Sequence, residues 1–340
     1  MADARTLIGL GSAVISVPLL ASAAAAGAPA GLPGRLVERL SIAAPSGVSG
    51  PDDITRLARE GIDGGREVVY LAYQNGINPD GTAGTPGGPT SSTIKGFDAV
   101  TGRLVMSVPT PGKVDGLSAD PARGRLLATV NEDSNSALRT VTPGVDKPVT
   151  RYTYRPDPAV GGNGGTDSIA VHAGHIYLAH SNPTDATQAT DYEATLDPRA
   201  QTAALRPVFL DNTMATDAST GHAVTLGLTD PDTNLIMPRG SRRFAGQLAT
   251  IGQADGQIVF ADHPEHTTPG LTQLSLTDST PGNVPTLDGI AVATVPTGTL
   301  YVVDAGTGGC CTPSTPGDSP PGRCSVRPRT TITRNSPPWT

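Results

Sequence analysis

A short pattern recurs along this chain: a glycine, one or two polar residues, then a strongly apolar run. It reads GRLLATV from Gly124, GHIYLAH from Gly174, GQIVFAD from Gly256 and GTLYVVD from Gly298, with a looser copy, GREVVYLAY, from Gly65. Short apolar runs rich in Val, Ile, Leu and Tyr, bounded by Gly and polar residues, predict β-strands. A second pattern stands shortly before most copies: Asp, a small residue, an aliphatic, then Ser, Thr or Ala. It reads DDIT from Asp52, DGLS from Asp115, DSIA from Asp167 and DGIA from Asp288. At the fourth copy GQLA from Gly246 takes that slot, without an Asp. Between copies lie hairpin-like stretches. In TIKGFDAVTGRLVMSV the AVTG makes the turn and β-branched and aliphatic residues fill both arms; SALRTVTPGVDKPVTRYTY and LTQLSLTD are of the same kind.

On this reading the repeats begin near residues 52, 115, 167, 246 and 288, at intervals of 63, 52, 79 and 42. Each unit holds two inner strands followed by two outer ones. Helical periodicity is absent beyond one turn at 54–60. Four strands per repeat of this length predict an all-β chain, a β-propeller of four-stranded blades, with about five blades present and the last incomplete.

The FDAVTG hairpin and the DGIA and GTLYVVD strands resemble the YVTN, NHL and lactonase-like propellers of bacteria. VYLAYQNGINPDG, VDGLSADPARGRLLATVNED, GGTDSIAV and LDGIAVATVPTGTLYVVDAG are similar, more narrowly, to a group of secreted actinobacterial propeller proteins. The resemblance covers residues 50 to 308. It implies the fold, and six or seven blades in an intact relative, but no particular activity.

Composition narrows the setting. Of 340 residues 16% are charged and 4% aromatic, and 41 Gly with 32 Pro fit many short strands and tight turns. A net charge of -7, with no cluster of basic and aromatic residues, argues against a nucleic-acid partner. The first thirty residues read as a secretory signal peptide. Arg5 supplies the basic start, Leu7 to Leu20 the apolar run, and the Ala-rich stretch to Ala30 the cleavage region. The body, 31–308, contains no Cys and no further apolar span. The expectation is therefore a secreted, extracellular protein, free of the membrane after cleavage and monomeric when intact.

The tail departs from the pattern. After YVVDAG the expected outer hairpin is replaced by GCCTPSTPGDSPPGRCSVRPRTTITRNSPPWT, which holds all three Cys and the only Trp. Taking each codon's third base with the next codon's first two permits VLYAVDTGGLPAGAVF over this stretch. The Cys310–Cys311 pair then forces Leu, and LYAVD echoes LYVVD. Residues 309–340 accordingly read as a disordered, out-of-frame tail, and Cys310, Cys311 and Cys324 as no metal or disulfide set. Such a chain would be an open arc with the YVVD strand at an uncovered edge.

The candidate chemistry is sparse. Asp52, Asp115, Asp167 and Asp288 each open an innermost strand and could ring one channel mouth, where carboxylates bind a cation such as Ca²⁺. The local alternative, a carboxylate capping the turn into its strand, is favoured for a residue that recurs with the repeat. His172 and His175 flank a turn. His180 and His263 are expected to end equivalent second strands, in loops at one rim, where a pair could bind metal or act as acid and base, although no fixed ligand spacing supports this. The polar loops NEDSNS at Asn131 and NPDGTAG at Asn78 lack a calcium-loop pattern. Two functions remain. The first is an extracellular ligand-binding or scaffold module. The second is a lactonase-like or lyase-like hydrolase with a metal at the channel. The second requires three metal-competent side chains about one point, and the first a pocket lined by apolar loop groups.

Overall fold

The computed structural model describes residues 44–58, 66–159, 164–183 and 186–276, with 42, 287, 289, 290, 292 and 303 beside them. The segment 1–30 read as a signal peptide, Asp288 and the tail 309–340 lie outside the described residues.

Four antiparallel four-stranded blades follow one another. The first is β1 (Pro51–Ala58), β2 (Glu67–Tyr73), β3 (Ser91–Asp98) and β4 (Leu104–Pro111); the second is β5 (Val114–Asp120), β6 (Arg125–Val130), β7 (Ala137–Val141) and β8 (Val149–Arg155). The third is β9 (Thr166–His172), β10 (His175–His180), β11 (Ala189–Asp197) and β12 (Thr202–Leu210). A hairpin, β13 (Met214–Asp217) and β14 (Ala223–Thr225), precedes the fourth blade. That blade is β15 (Pro231–Ile236), β16 (Leu248–Gly252), β17 (Gln257–Asp262) and β18 (Gly270–Ser275).

The fourth repeat corrects the sequence reading. GQLA at Gly246 leads into β16, the second strand, and GQIVFAD is the third strand, β17. The inner strand is PDTNLI, β15, which carries its own Asp, Asp232. Inner-strand Asp residues thus stand at 52, 115, 167 and 232.

Successive side chains of a strand point to opposite faces, and here each face packs on a different neighbour. From β6, Leu126, Ala128 and Val130 join Leu57, Val68, Tyr70 and Ile94 of blade one, whereas Leu127 joins Ile169, Ile176 and Leu178 of blade three. Tyr177 of blade three packs with Ile236, Leu248 and Val259 of blade four. Burial on both faces is why these strands are continuous apolar runs rather than alternating ones. This is a β-propeller: four-stranded blades stacked face to face, inner strands side by side in the order β1, β5, β9, β15.

Two contacts carry the ring beyond blade four. Leu287, Ile290 and Val292 pack on Leu235, Ala249 and Phe260, and the Leu287 N–H donates to the Gln253 carbonyl at 3.1 Å. Val303, from the YVVD segment expected at an uncovered edge, is only 2% exposed and packs with Ile54 and Val69 of blade one. The described parts of the fifth unit therefore touch both blade four and blade one.

The blades are also tied at their periphery. Outer strands β8 and β12 pair in parallel over Thr153–Arg155 and Thr202–Ala204, joining blades two and three into one eight-stranded sheet. β13, which follows blade three, pairs in parallel with β18 of blade four. No helix among the described residues is long and apolar enough to cross a membrane.

Candidate functional site

In every described blade the ladder between the first two strands slips at the inner-strand Asp. Pairing jumps from Pro51 to Ile54, from Val114 to Leu117, from Thr166 to Ile169 and from Pro231 to Thr233. A bulge of this kind frees one residue from the pleat and re-aims its side chain. Here it brings Asp52, Asp115, Asp167 and Asp232 to one cavity of about 190 Å³ at one end of the channel. The residues that follow the second strands meet them there. Gln74 donates to Asp52 at 2.8 Å and to Asp115 at 3.1 Å, and Gln253 donates to Asp232 at 2.6 Å. Glu132, Asp230 and Lys113 complete the lining, which is almost wholly polar.

The charge balance is lopsided: six carboxylates share one ammonium. Lys113 pairs with Asp115 at 2.7 Å and with Glu132. Burial lowers the Lys113 pKa, but these two carboxylates outweigh it and hold the ammonium charged. Burial, then the Glu132 charge, pushes Asp115 up to about 8. Asp52 and Asp167 are raised well above the carboxylate range, chiefly by burial, then by the charges of Asp115, Asp53 and Asp232 at Asp52 and of Asp232, Asp115, Glu132 and Asp52 at Asp167. Asp115 Oδ2, buried against the cavity, has no hydrogen-bond partner.

None of Asp52, Asp115 and Asp167 makes the turn-capping bond favoured from the sequence. Neighbouring residues hold the strand entries instead. The Asp53 carboxylate accepts from the N–H of Ile54 and, across the blade boundary, from that of Leu117. Thr129 accepts from Gly116 N–H and donates to the Asp167 carbonyl. Turn capping by Asp occurs in the outer hairpins. Asp98 accepts from Val100 and Thr101 in DAVTG, and Asp217 makes the matching set with Ser219 and Thr220 in DASTG. Hydrogen bonds, the Ser219 hydroxyl first, lower Asp217 to about 2.

The two histidine candidates do not form a pair. His180 ends the second strand β10 on the acidic-mouth side and is buried, not in an exposed loop. Its Nδ1 lies 2.9 Å from the Ala189 carbonyl, its ring meets Tyr192 edge-on, and burial lowers its pKa. His263 follows the third strand β17, which runs away from the mouth, so it sits at the opposite rim, exposed. The sequence reading also missed Asp191, a fully buried carboxylate on β11. It accepts from Thr250 at 2.6 Å and from Asn234 at 3.3 Å, and burial pushes it up to about 7.

No family model matches the sequence, and no curated protein matches it. Among solved structures the chain is similar to the Neurospora crassa Pan2 WD40 domain, with 12% identity over 67% of this chain and 54% of that one, TM-score 0.35. It is similar to the Pseudomonas aeruginosa periplasmic gluconolactonase PpgL, with 13% identity over 66% and 58%, TM-score 0.40. It is also similar to cobalt-substituted Synechocystis ACO, with 12% identity over 72% and 65%, TM-score 0.33. The chain spans little more than half the length of the first two. Likenesses this distant say nothing of activity, and the fold rests on the blades themselves.

Proposed function

We propose that the chain is a secreted binding propeller whose acidic channel mouth takes a hydrophilic cationic ligand, a hydrated Ca²⁺ ion or a protonated amine. The observation that supports it most is the convergence of four bulged Asp residues, with Glu132 and Asp230, on one polar cavity holding a single ammonium. Like charges held together in a desolvated cleft cost free energy, and a cation entering that cleft returns it. The unpartnered Asp115 oxygen supplies an acceptor already in place.

The pocket is not the apolar one that a binding module was expected to show, so a large apolar ligand is a poor fit. A hydrolase with a channel metal has less support. Among the described residues no three carboxylate or imidazole ligand atoms in the channel lie within 4.8 Å of one another. A bare ion with several protein ligands therefore finds no assembled shell there, whereas a hydrated or extended cation reaches the carboxylates through hydrogen bonds.

Titration calorimetry with Ca²⁺ and with spermidine tests the reading. The wild type should bind at least one of them, and Asp115→Asn with Asp167→Asn should weaken binding about tenfold or more, as expected when charge-assisted contacts are lost. Binding should also weaken with added salt. Absence of binding by both probes, or affinity indifferent to the double variant, would overturn it.

A further inference from the structure

The rim opposite the acidic mouth carries a second cluster. Beyond β17 the chain turns through Asp262, His263, Pro264, Glu265 and His266. His263 has φ of +52°, in the left-handed region that non-glycine residues seldom adopt, and its carbonyl accepts the His266 N–H at 2.9 Å. This fold-back brings both imidazoles to one side of the loop, with centroids 5.0 Å apart and planes 13° from parallel. Rings stacked in this way cannot both aim an in-plane lone pair at one ion, so metal entry requires one of these exposed rings to rotate about its side-chain bonds. Glu265 joins them: its Oε1 is 3.1 Å from His263 Nδ1 and 3.9 Å from His266 Nε2. One ligand atom from each of the three residues lies within 4.8 Å of the other two. Neighbouring ligand atoms of a tetrahedral Zn²⁺ site with bonds of about 2.0–2.1 Å stand roughly 3.4 Å apart. The two separations bracket that value.

The loop is also held from outside. Arg206, on β12 of blade three, donates to the carbonyls of Pro264 at 3.3 Å, Glu265 at 3.2 Å and His266 at 3.2 Å. Its guanidinium is paired in turn with Glu193 on β11, which also bonds His175. The backbone carrying the cluster is therefore fixed to the neighbouring blade, as second-shell contacts fix a metal site.

We propose that His263, Glu265 and His266 form a binding site for a borderline transition-metal ion, Zn²⁺ foremost, with a fourth position open to water. Two imidazoles and one carboxylate suit Zn²⁺ and disfavour Ca²⁺ and Mg²⁺, which take oxygen shells. All three residues are exposed, so the open position faces solvent. The site is independent of the acidic mouth: it uses none of the mouth's residues and lies at the other end of the strands.

The experiment is calorimetry with ZnCl₂ on the full chain, prepared without a histidine tag, and absorption spectroscopy of the Co²⁺ adduct. One Zn²⁺ should bind per chain, with Co²⁺ bands of a four- or five-coordinate centre. His263→Ala and His266→Ala should each weaken Zn²⁺ binding about tenfold or more, and Arg206→Met by about tenfold although no ligand is removed. His172→Ala should leave it unchanged, and excess Ca²⁺, which fills the acidic mouth, should not displace it. Glu265→Gln, nearly isosteric and exposed, should also weaken it and serves if a histidine variant folds poorly. Lack of Zn²⁺ uptake by the wild type, or uptake unaltered in the His263→Ala/His266→Ala double variant, would refute the site.

Discussion

Thr250 donates its hydroxyl to the Asp191 carboxylate at 2.6 Å across the boundary between blades three and four. Asn234, from the inner strand of blade four, supplies a second donor to the same carboxylate. Side chains of two blades thus complete one buried polar contact between them. Thr250→Val should remove a donor from a buried acceptor and cost about 1–3 kcal/mol in urea unfolding. The pH dependence follows from Asp191's raised pKa of about 7. The folded state keeps a proton that the unfolded chain releases near pH 4, so this group's contribution is greatest in acid and is lost as pH rises towards 7. Asp191→Asn should flatten that part of the profile, and an unchanged slope between pH 5 and pH 8 would count against it.

The acidic mouth should act in the same direction and further up the scale. Asp115, raised to about 8, and the raised Asp52 and Asp167 all bind protons more tightly folded than unfolded. Without a cation, stability should fall as pH rises from about 4 to about 8. Asp167→Asn deletes a charge that has no hydrogen-bond partner among the described residues. It should leave stability at pH 8 unchanged or raise the melting temperature, the reverse of what a turn cap would do. A clear loss of stability would restore the capping role.

Lys113 is the mouth's single ammonium. Lys113→Met leaves Asp115 and Glu132 facing each other without it, a loss of about 3 kcal/mol or more for a broken buried pair. The loss should be largest at pH 8 and shrink towards pH 5, where Asp115 carries a proton. Chemical melts at the two pH values measure the difference.

Gly116 occupies the small-residue slot of DGLS for a steric reason. A Cβ there would stand 2.4 Å from the Asp167 carbonyl oxygen and 2.7 Å from Thr129 Oγ1. Inner strands of adjacent blades approach this closely beside the cavity. Gly116→Ala should therefore cost roughly 1–3 kcal/mol, as overpacking does, and weaken cation binding by spreading Asp115 from Asp167. Wild-type melting behaviour would show that the strands can separate freely.

The propeller was legible because strands buried on both faces leave an apolar run, and such runs recur. The three Asp residues at 52, 115 and 167 were legible as a set for the same reason. Asp232 was not, because the aliphatic slot two residues after it holds Asn234. That polar residue is tolerated only through Asp191 in another blade, a long-range compensation invisible to a local pattern. The bulges were equally hidden: nothing in DGLS or DSIA announces that the Asp leaves the ladder. His263 was visible, but its partners were sought at the wrong rim, because the third strand of blade four was read as its second.

The peripheral strand pairing gives the ring an uneven stiffness. Blades two, three and four are laced together at the outside, through Thr153–Arg155 against Thr202–Ala204 and through β13 against β18. Between blades one and two no outer strands pair among the described residues; the contacts are packing, bonds such as Leu117 to Asp53 and Val114 to Ser92, and loop bonds from Asp133 N–H to the Pro79 carbonyl and from Asn135 to the Asp80 carbonyl. Strand pairing of this kind should make the three laced blades harder to part than the seam where blade one meets blade two. Gln74 spans that seam, with Asp52 on one side and Asp115 on the other. A cation gripping both of those carboxylates would add a second tie across the least-laced seam.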